Sequence, residues 1–333
     1  MTASSPRCFS HSHPNDSRRS VGAWLNGFMQ NSGAIALGTL LTSLCSTAIG
    51  AAMLTAEALE VEIYPPNPQQ GDTLSVRIQT DTATPEAVSV TMNQRVYPVY
   101  PLGAGSNAAA GNAVVAPGTV QQFQTLLPTT PLDTPGQVTI QISDGEDVRN
   151  MAVWLRDRSF PTQRITLRGG GSGLTEIEAA RVQAFKEIVT PQRFWNGPLL
   201  RPTSGSVSTV FGVQRYYNGV FANDYYHRGV DYATGTGTPV VAPAAGRIAL
   251  VGYESQGFRI HGNTVGIDHG QGVLSIFIHL NGVDVQEGDL VQAGQRVGSV
   301  GSTGSSTGPH LHWGLYVHGM AVDPVPWRYE GIQ

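Results

Sequence analysis

Short apolar runs, divided by glycine and proline, are the feature that most limits the fold of this chain. Its 333 residues include 40 glycines and 21 prolines, which favour turns and short strands over long helices. The length exceeds that of one ordinary compact domain, so two domains are expected. Because 40% of the residues are hydrophobic, packed cores are expected as well. We therefore predict an all-β protein.

Charge and cysteine content argue against some functions. The net charge of −4 disfavours nucleic-acid binding, which normally needs a basic face. Both cysteines, Cys8 and Cys45, lie near the N-terminus. If that segment is removed on export, cysteine can serve neither as a disulfide nor as a nucleophile or metal ligand.

Residues 1–58 are predicted to be a signal peptide or an N-terminal membrane anchor. Two arginines at 18–19 precede a mostly apolar run at 32–54, and Ala-Glu-Ala at 56–58 fits the small-x-small pattern of a cleavage site. An uncleaved run of about 20 apolar residues can instead span a bilayer, which would associate the protein with the inner membrane. In both cases we expect export to the periplasm or the outer side of the cell envelope.

Residues 59–158 are predicted to form an immunoglobulin-like β-sandwich. Apolar residues occupy every second position of four short segments, at 74–78, 88–92, 138–142 and 151–155. Evenly spaced short strands over about 100 residues are typical of this fold. No catalytic motif lies here, so the segment is either a spacer or a module that binds a ligand or covers an active site.

Residues 159–200 are predicted to be a connector with one short helix. A glycine-rich break at 169–173 precedes a segment with helical spacing. Thr175 followed by Glu178 fits a capping box at the helix start. The predicted apolar face consists of Leu174, Ile177, Val182, Phe185 and Ile188.

Residues 201–333 are predicted to form a second all-β domain, which contains all but two of the nine histidines. Three clusters there can carry chemistry: His227 with Asp231, the lone His279, and His310 with His312. Imidazoles with a carboxylate suit a borderline cation such as zinc. The predicted strands are 240–241, 247–251, 264–267, 273–278 and 312–317.

The spacing within the clusters restricts their geometry. On a straight strand His227 and Asp231 would lie about 13 Å apart, so the segment must bend, and Gly229 gives it the freedom to do so. His310 and His312 alternate with Leu311, so on a strand both face one way and only one of them need bind the metal. Two histidines and one carboxylate leave a fourth position open for water, as in catalytic zinc sites.

The order of these motifs resembles the lysostaphin/LytM-type zinc endopeptidases of bacterial cell walls. H-x(3)-D, a histidine before leucine and H-x-H occur in sequence. Family-like segments also occur at 238–246, 262–270, 288–295 and 301–313, so the resemblance covers roughly residues 205–327. It implies a mostly antiparallel sheet that forms a groove like that of duplicated-hybrid-motif folds. It also implies hydrolysis of peptide bonds in peptidoglycan stems or bridges.

The resemblance also implies roles for individual residues. One zinc ion per chain would be bound by His227, Asp231 and His312. His279 and His310 would flank the open position, where they orient or deprotonate water and stabilise the tetrahedral intermediate. The groove is expected to include Tyr217, Asn263 and Gly308.

Three further questions stay open at the level of sequence. His261, His269 and His318 each lie beside a glycine and are expected to be exposed turn residues rather than ligands. The domain is expected to be catalytic, with a non-catalytic regulator of another wall hydrolase as the alternative. A further hypothesis is a latent enzyme, in which the sandwich or the connector covers the groove.

Overall fold

A computed structural model describes residues 59–81, 85–102, 120–166 and 173–329. The predicted signal peptide or anchor at 1–58, with both cysteines, lies outside the described residues, as does most of the 169–173 break. Among the residues described, no helix is long and apolar enough to cross a membrane.

The N-terminal part consists of two four-stranded sheets whose inner faces share one core. The sheets have the strand orders β1-β2-β6-β5 and β4-β3-β7-β8, and all their pairings are antiparallel. Leu74, Ile78, Phe123 and Ile140 are among the residues buried between them. The strands are β1 (Leu59–Tyr64), β2 (Thr73–Thr80), β3 (Ser89–Met92), β4 (Arg95–Tyr97), β5 (Tyr100–Pro101), β6 (Gln121–Pro128), β7 (Gly136–Ser143) and β8 (Val148–Leu155).

The C-terminal part is built on a ten-stranded sheet. Its main path runs β10-β13-β20-β17-β16-β15-β18, with antiparallel pairing throughout. Gly, Pro and short polar turns separate the strands, as predicted. The strands are β10 (Ser206–Thr209), β13 (Val230–Ala233), β14 (Pro239–Val241), β15 (Gly246–Gly252), β16 (Asn263–Gly270), β17 (Val273–Val283), β18 (Leu290–Val291), β19 (Arg296–Val300), β20 (His310–Val317) and β21 (Met320–Val322).

A small fourth sheet, of three strands, links the predicted connector to the C-terminal part. Strand β9 (Thr162–Ile165) lies parallel to β11 (Gln214–Tyr217), which pairs in turn with β12 (Val220–Phe221). The prediction of an all-β protein with one short helix in the connector is therefore confirmed for the described residues.

Helix α1 (Glu176–Lys186) begins where the capping pattern predicted. The side chain of Thr175 accepts a hydrogen bond from the backbone N–H of Glu178 at 3.1 Å. The predicted apolar face is wrong at its N-terminal end, because Leu174 and Ile177 are exposed. Glu178, Val182 and Phe185 are the buried residues of the helix instead.

The connector packs into the core of the C-terminal sheet. Val182 and Phe185 of α1, together with Trp195 and Leu199 after it, belong to the same buried cluster as the sheet residues. A side chain at Gly266 on β16 would collide with the ring of Phe185. The helix thus covers one face of the sheet and is part of that domain's core.

The two parts also contact each other directly, and the described residues from 59 to 329 belong to one compact unit. Leu126 of the sandwich strand β6 is buried in the C-terminal core. Arg158 donates a hydrogen bond to Asp323 at 2.7 Å, and the indole N–H of Trp327 donates to Thr73.

Candidate metal centre and active site

The loop before β13 places His227. Its backbone N–H donates to the carbonyl of Val213, and its own carbonyl accepts from Gly212, so residues 212–213 hold the loop from one side. The ring Nδ1 lies 2.8 Å from the carbonyl oxygen of Val210. Since that oxygen can only accept, Nδ1 carries the proton, and in the neutral ring Nε2 keeps its lone pair. Carbonyl partners of this kind orient metal-binding histidines.

Strand register places Asp231 beside His312. The two residues are direct cross-strand partners in the antiparallel pair β13–β20, and His310 lies opposite Ala233 two positions along. Side chains of directly opposed residues share one face of a sheet. The pairing of β13 with β20 is therefore enough to bring Asp231 and His312 together.

The three predicted zinc ligands converge on one point. Nε2 of His227 lies 3.1 Å from Oδ1 of Asp231 and 3.0 Å from Nδ1 of His312. Nδ1 of His312 lies 2.8 Å from the same Oδ1. Ligand atoms at 2.0–2.1 Å from a tetrahedral ion lie about 3.3 Å apart. The triangle is therefore slightly smaller than a zinc ion requires, and its chemistry of two imidazoles and one carboxylate fits that ion.

Electrostatics favours a cation within the triangle. Burial alone would raise the pKa of Asp231, but the imidazoles of His227 and His312 against its carboxylate lower that pKa below its ordinary value. Burial lowers the pKa of His312, and the neighbouring Asp231 only partly offsets this. The carboxylate is thus ionised and the His312 ring neutral at pH 7, the forms in which both side chains bind metal.

Gly229 is needed for a different reason from the predicted one. Its φ is not in the left-handed region, so special backbone freedom does not explain it. A Cβ at this position would lie 2.3 Å from the carbonyl oxygen of Trp313 and 2.8 Å from Nε2 of His312. Only glycine lets this segment pass so close to β20.

His279 and His310 form a second pair of rings, with centroids 4.8 Å apart. Nδ1 of His279 donates to the carbonyl of Thr303 at 2.8 Å, and Nδ1 of His310 donates to that of Gly308 at 2.8 Å. Each neutral ring therefore keeps an unprotonated Nε2. Burial lowers the pKa of His279 to about 3. Nε2 of each ring can therefore accept a hydrogen bond, and the lowered pKa keeps the His279 ring neutral at pH 7.

A bulge aims the His279 side chain. Asn263 opposes Leu280 and Val265 opposes Phe277, so β17 has one residue more than β16 over this stretch. His279 itself has φ +64°. Bulges next to active sites commonly redirect one side chain, and here the local bend interrupts the alternation of β17 at the predicted catalytic histidine.

The three predicted groove residues have identifiable surroundings. Tyr217 ends β11, and its ring packs edge-on against Tyr225, two residues before His227. The side chain of Asn263 accepts a hydrogen bond from the backbone N–H of Glu254 at 3.1 Å. On the adjacent strand Asn263 lies opposite Leu280, the residue that follows His279. The carbonyl of Gly308 accepts from the His310 ring. Their roles toward a substrate stay predictions.

The expectation of exposed turn histidines is wrong for His269 and His318, both of which are buried. His269 lies between the carbonyl of Ala245 and the hydroxyl of Ser275, each 2.9 Å from a ring nitrogen. His318 packs edge-on against Tyr97 of the sandwich. The sandwich covers the strand end at His318, and the connector covers the one at His269, whose carbonyl accepts from the backbone N–H of Phe194.

Sequence reasoning missed Arg215 and Tyr225. Nη1 of Arg215 donates to the Tyr225 hydroxyl at 2.6 Å, and its Nε donates to Gln163 on β9. The pKa of Arg215 is raised despite its burial, chiefly by Tyr225 and Tyr217 and in part by Asp231. The group lies close enough to the triangle to feel its charge. The tyrosine pair at 225–226 was the only available signal.

Comparison with known proteins agrees with this geometry. Residues 225–324 match the model of Peptidase family M23. The chain carries an M23 peptidase domain. That segment contains the three residues of the triangle as well as His279 and His310.

Several curated proteins resemble the M23 domain and its surroundings. An uncharacterized metalloprotease of Haemophilus influenzae is 32% identical over 171 residues, which are 51% of this chain and 35% of that protein. The DD-carboxypeptidase/endopeptidase Mpg of Neisseria meningitidis is 44% identical over 99 residues, or 30% of this chain and 22% of Mpg. Lysostaphin of Staphylococcus simulans is 40% identical over 109 residues, which are 31% of this chain and 22% of lysostaphin. The chain thus spans about a third or less of these relatives.

A solved structure shows the same fold over more of the chain. A putative peptidase M23 from Pseudomonas aeruginosa superimposes with a TM-score of 0.55 at 24% identity, covering 80% of this chain and 96% of that one. The likeness therefore extends beyond the M23 domain, and it concerns the fold alone.

Proposed function

We propose that this protein is an exported, zinc-dependent endopeptidase that hydrolyses peptide crosslinks of bacterial peptidoglycan. The observation that carries the proposal is the triangle of His227, Asp231 and His312, whose three ligand atoms lie 2.8–3.1 Å apart. Relatives named as a DD-carboxypeptidase/endopeptidase and as lysostaphin support a cell-wall substrate. The same kinship supports a location in the cell envelope.

Zinc is proposed because the donor set has two imidazoles and one carboxylate and leaves one tetrahedral position free. When bound, such an ion supplies Lewis-acid chemistry and brings the pKa of water toward about 7. His227 and His312 offer ring nitrogens, and Asp231 offers a negative charge. The Val210 carbonyl keeps the His227 ring in the correct tautomer at 2.8 Å.

His279 and His310 are proposed to handle the protons. In the neutral form of each ring Nε2 is unprotonated, because Nδ1 donates to the carbonyl of Thr303 or Gly308. One ring accepts the proton of the attacking water and returns it to the leaving amine. The other ring orients the attacking water by accepting a hydrogen bond at its Nε2. Tyr217, Asn263 and Gly308 are proposed to contact the peptide.

The alternative is a non-catalytic regulator that binds the wall and activates another hydrolase. A regulator has no need of a complete ligand triangle with an oriented pair of histidines beside it. His279 lies close enough to His312 and Asp231 for their charges to affect its pKa, so the triangle and the histidine pair form one site. This arrangement of five chemistry-bearing side chains favours catalysis. The connector borders the proposed groove, because its strand β9 pairs with β11, which carries Tyr217. A latent enzyme would need the connector or the sandwich to cover that groove.

Digestion of purified peptidoglycan tests the proposal. A protein comprising residues 59–333 is incubated with the wall, with and without a zinc chelator, and released fragments are weighed by mass spectrometry. Chelator-sensitive cleavage of crosslinks is expected. The masses distinguish a D-alanyl–diamino acid bond from an oligoglycine bridge. No cleavage by zinc-loaded protein would instead favour the regulator.

A further inference from the structure

Helix α1 carries a buried carboxylate that the proposed reaction does not yet use. Glu178 has 0% of its surface exposed. Its Oε1 accepts from the backbone N–H of Ile260 at 3.0 Å, and from the N–H and ring Nδ1 of His261, each at 2.7 Å. A capping-box glutamate would bond back to its own helix, whereas this one bonds to a distant loop.

The three donors make Glu178 a fixed anchor for that loop. A fully buried carboxylate is costly unless hydrogen bonds compensate it. Although burial raises the pKa of Glu178, the N–H groups of His261 and Ile260 lower it below the ordinary value. Thr175, at the start of the helix, also donates to the carbonyl of Gly257 in the same loop. The helix N-terminus and residues 257–261 are thus held together.

This loop supports His279 directly. The carbonyl of His261 accepts from the backbone N–H of His279 at 2.8 Å. The carbonyl of Ile260 accepts from Ser305 at 3.0 Å. Ser305 follows Thr303 by two residues, and the Thr303 carbonyl holds the His279 ring. One carboxylate therefore fixes both loops that hold the backbone and the ring of His279.

The two loops pack backbone to backbone, so neither can shift alone. A Cβ at Gly262 would lie 2.5 Å from the carbonyl carbon of Thr303. One at Gly304 would lie 2.4 Å from the backbone nitrogen of Gly262. Displacement of residues 260–261 therefore moves the 303–305 segment, and with it the acceptor that sets the His279 tautomer.

We propose that Glu178 is a positioning residue for His279, acting through the loop at 260–261. The inference rests on the proposed function of His279. It makes helix α1 part of the catalytic unit, although the helix lies outside the segment at 225–324 that matches the M23 family and contributes no metal ligand.

The test compares Glu178→Ala and Glu178→Gln in residues 59–333, with Glu176→Ala as matched control, because Glu176 is an exposed glutamate on the same helix. Zinc content, thermal midpoint, kcat and KM on a crosslinked muropeptide, and the ¹⁵N resonances of the His279 ring are measured. The control is expected to equal the unsubstituted protein.

Glu178→Ala is expected to keep its zinc and its KM within about twofold, while kcat falls about tenfold to a hundredfold, as for small misplacements of a catalytic group. Glu178→Gln should recover part of the loss, since its amide oxygen still accepts from two N–H groups. The His279 resonances should shift in both variants. If Glu178→Ala does not fold, Glu178→Gln supplies the same comparison.

Unchanged kcat and unchanged His279 resonances in a folded, zinc-loaded variant would overturn the positioning role. Absence of zinc-dependent cleavage by the unsubstituted protein would be a failure of the proposed function instead. In that case the His279 resonances still decide whether Glu178 positions the ring.

Discussion

Nδ1 of His312 lies 2.8 Å from Oδ1 of Asp231, its direct cross-strand partner. Two of the three proposed ligands are thus brought together by sheet register alone, and the loop before β13 needs to place only His227. A slip of one residue between β13 and β20 would send one of these side chains to the opposite face. The metal site and the sheet are therefore specified by the same pairing.

Replacing His312 by alanine is expected to abolish both zinc binding and turnover, because two ligands rarely hold zinc in a protein. Metal content after dialysis, measured by mass spectrometry, should fall from one ion per chain toward none. Far-ultraviolet circular dichroism checks that the variant is folded. Retention of stoichiometric zinc by the folded variant would remove His312 from the ligand set.

Replacing His310 by alanine is expected to spare the metal and to lower kcat by about 10²–10⁴-fold, the usual contribution of a general acid or base. His310 lies on the same strand face as His312, but its Nδ1 is committed to Gly308. Zinc content and kcat measured on one preparation distinguish a loss of metal binding from a loss of catalysis. Full activity without the imidazole would contradict the assigned role.

Gly229→Ala should weaken zinc binding, because the added methyl would lie 2.3 Å from the Trp313 carbonyl and must push β20 or the His227 loop away. Gly235→Ala is the matched control, since its Cβ would meet nothing within 4 Å. Competition with a chromophoric chelator measures both affinities. Equal affinities in the two variants would show that the close approach at Gly229 does not support the site.

How far the site could be predicted differs from residue to residue. The strands at 240–241 and 273–278 followed from short apolar runs bounded by glycine or proline, and the ligand residues from their chemistry and spacing. The carbonyls of Val210 and Thr303 could not be predicted, because every residue has a carbonyl and only the fold decides which one faces a ring. These carbonyls fix the tautomers on which the chemistry depends.

Contacts between segments that are distant in the chain could not be predicted from the sequence either. Thr175 and Glu178 fit a local capping pattern, and Thr175 does cap the helix. Glu178 satisfies that pattern in sequence but bonds to His261 in space. The parallel pairing of β9 with β11 also has no local signal, since the two strands lie far apart in the chain. Local patterns predict element types, and partners depend on packing.

Stability is expected to fall as the pH drops from 6.5 toward 4. Burial, and for His318 also the nearby Arg95, lowers the pKa of His269 and of His318 to about 4 in the folded state, whereas the unfolded value is about 6.5. Below pH 6.5 the unfolded chain therefore binds protons that the folded chain does not. Each histidine then lowers the free energy of unfolding by up to about 3 kcal/mol, and this loss is complete near pH 4.

Urea unfolding at pH 7.5 and pH 4.5, with chelator present at both values, measures this loss. His318→Asn should reduce the difference between the two pH values, because it removes one titrating group and asparagine tolerates the left-handed backbone at φ +48°. An undiminished difference would mean that His318 is not the neutral, buried group described.

Anomalous diffraction at the zinc edge tests the central claim most directly. Crystals of residues 59–333 grown with zinc should show one strong peak at about 2.0–2.2 Å from Nε2 of His227, Oδ1 of Asp231 and Nδ1 of His312. The Nε2 atoms of His279 and His310 should face its open side. A peak bound by His279 and His310, or none within the triangle, would contradict the account.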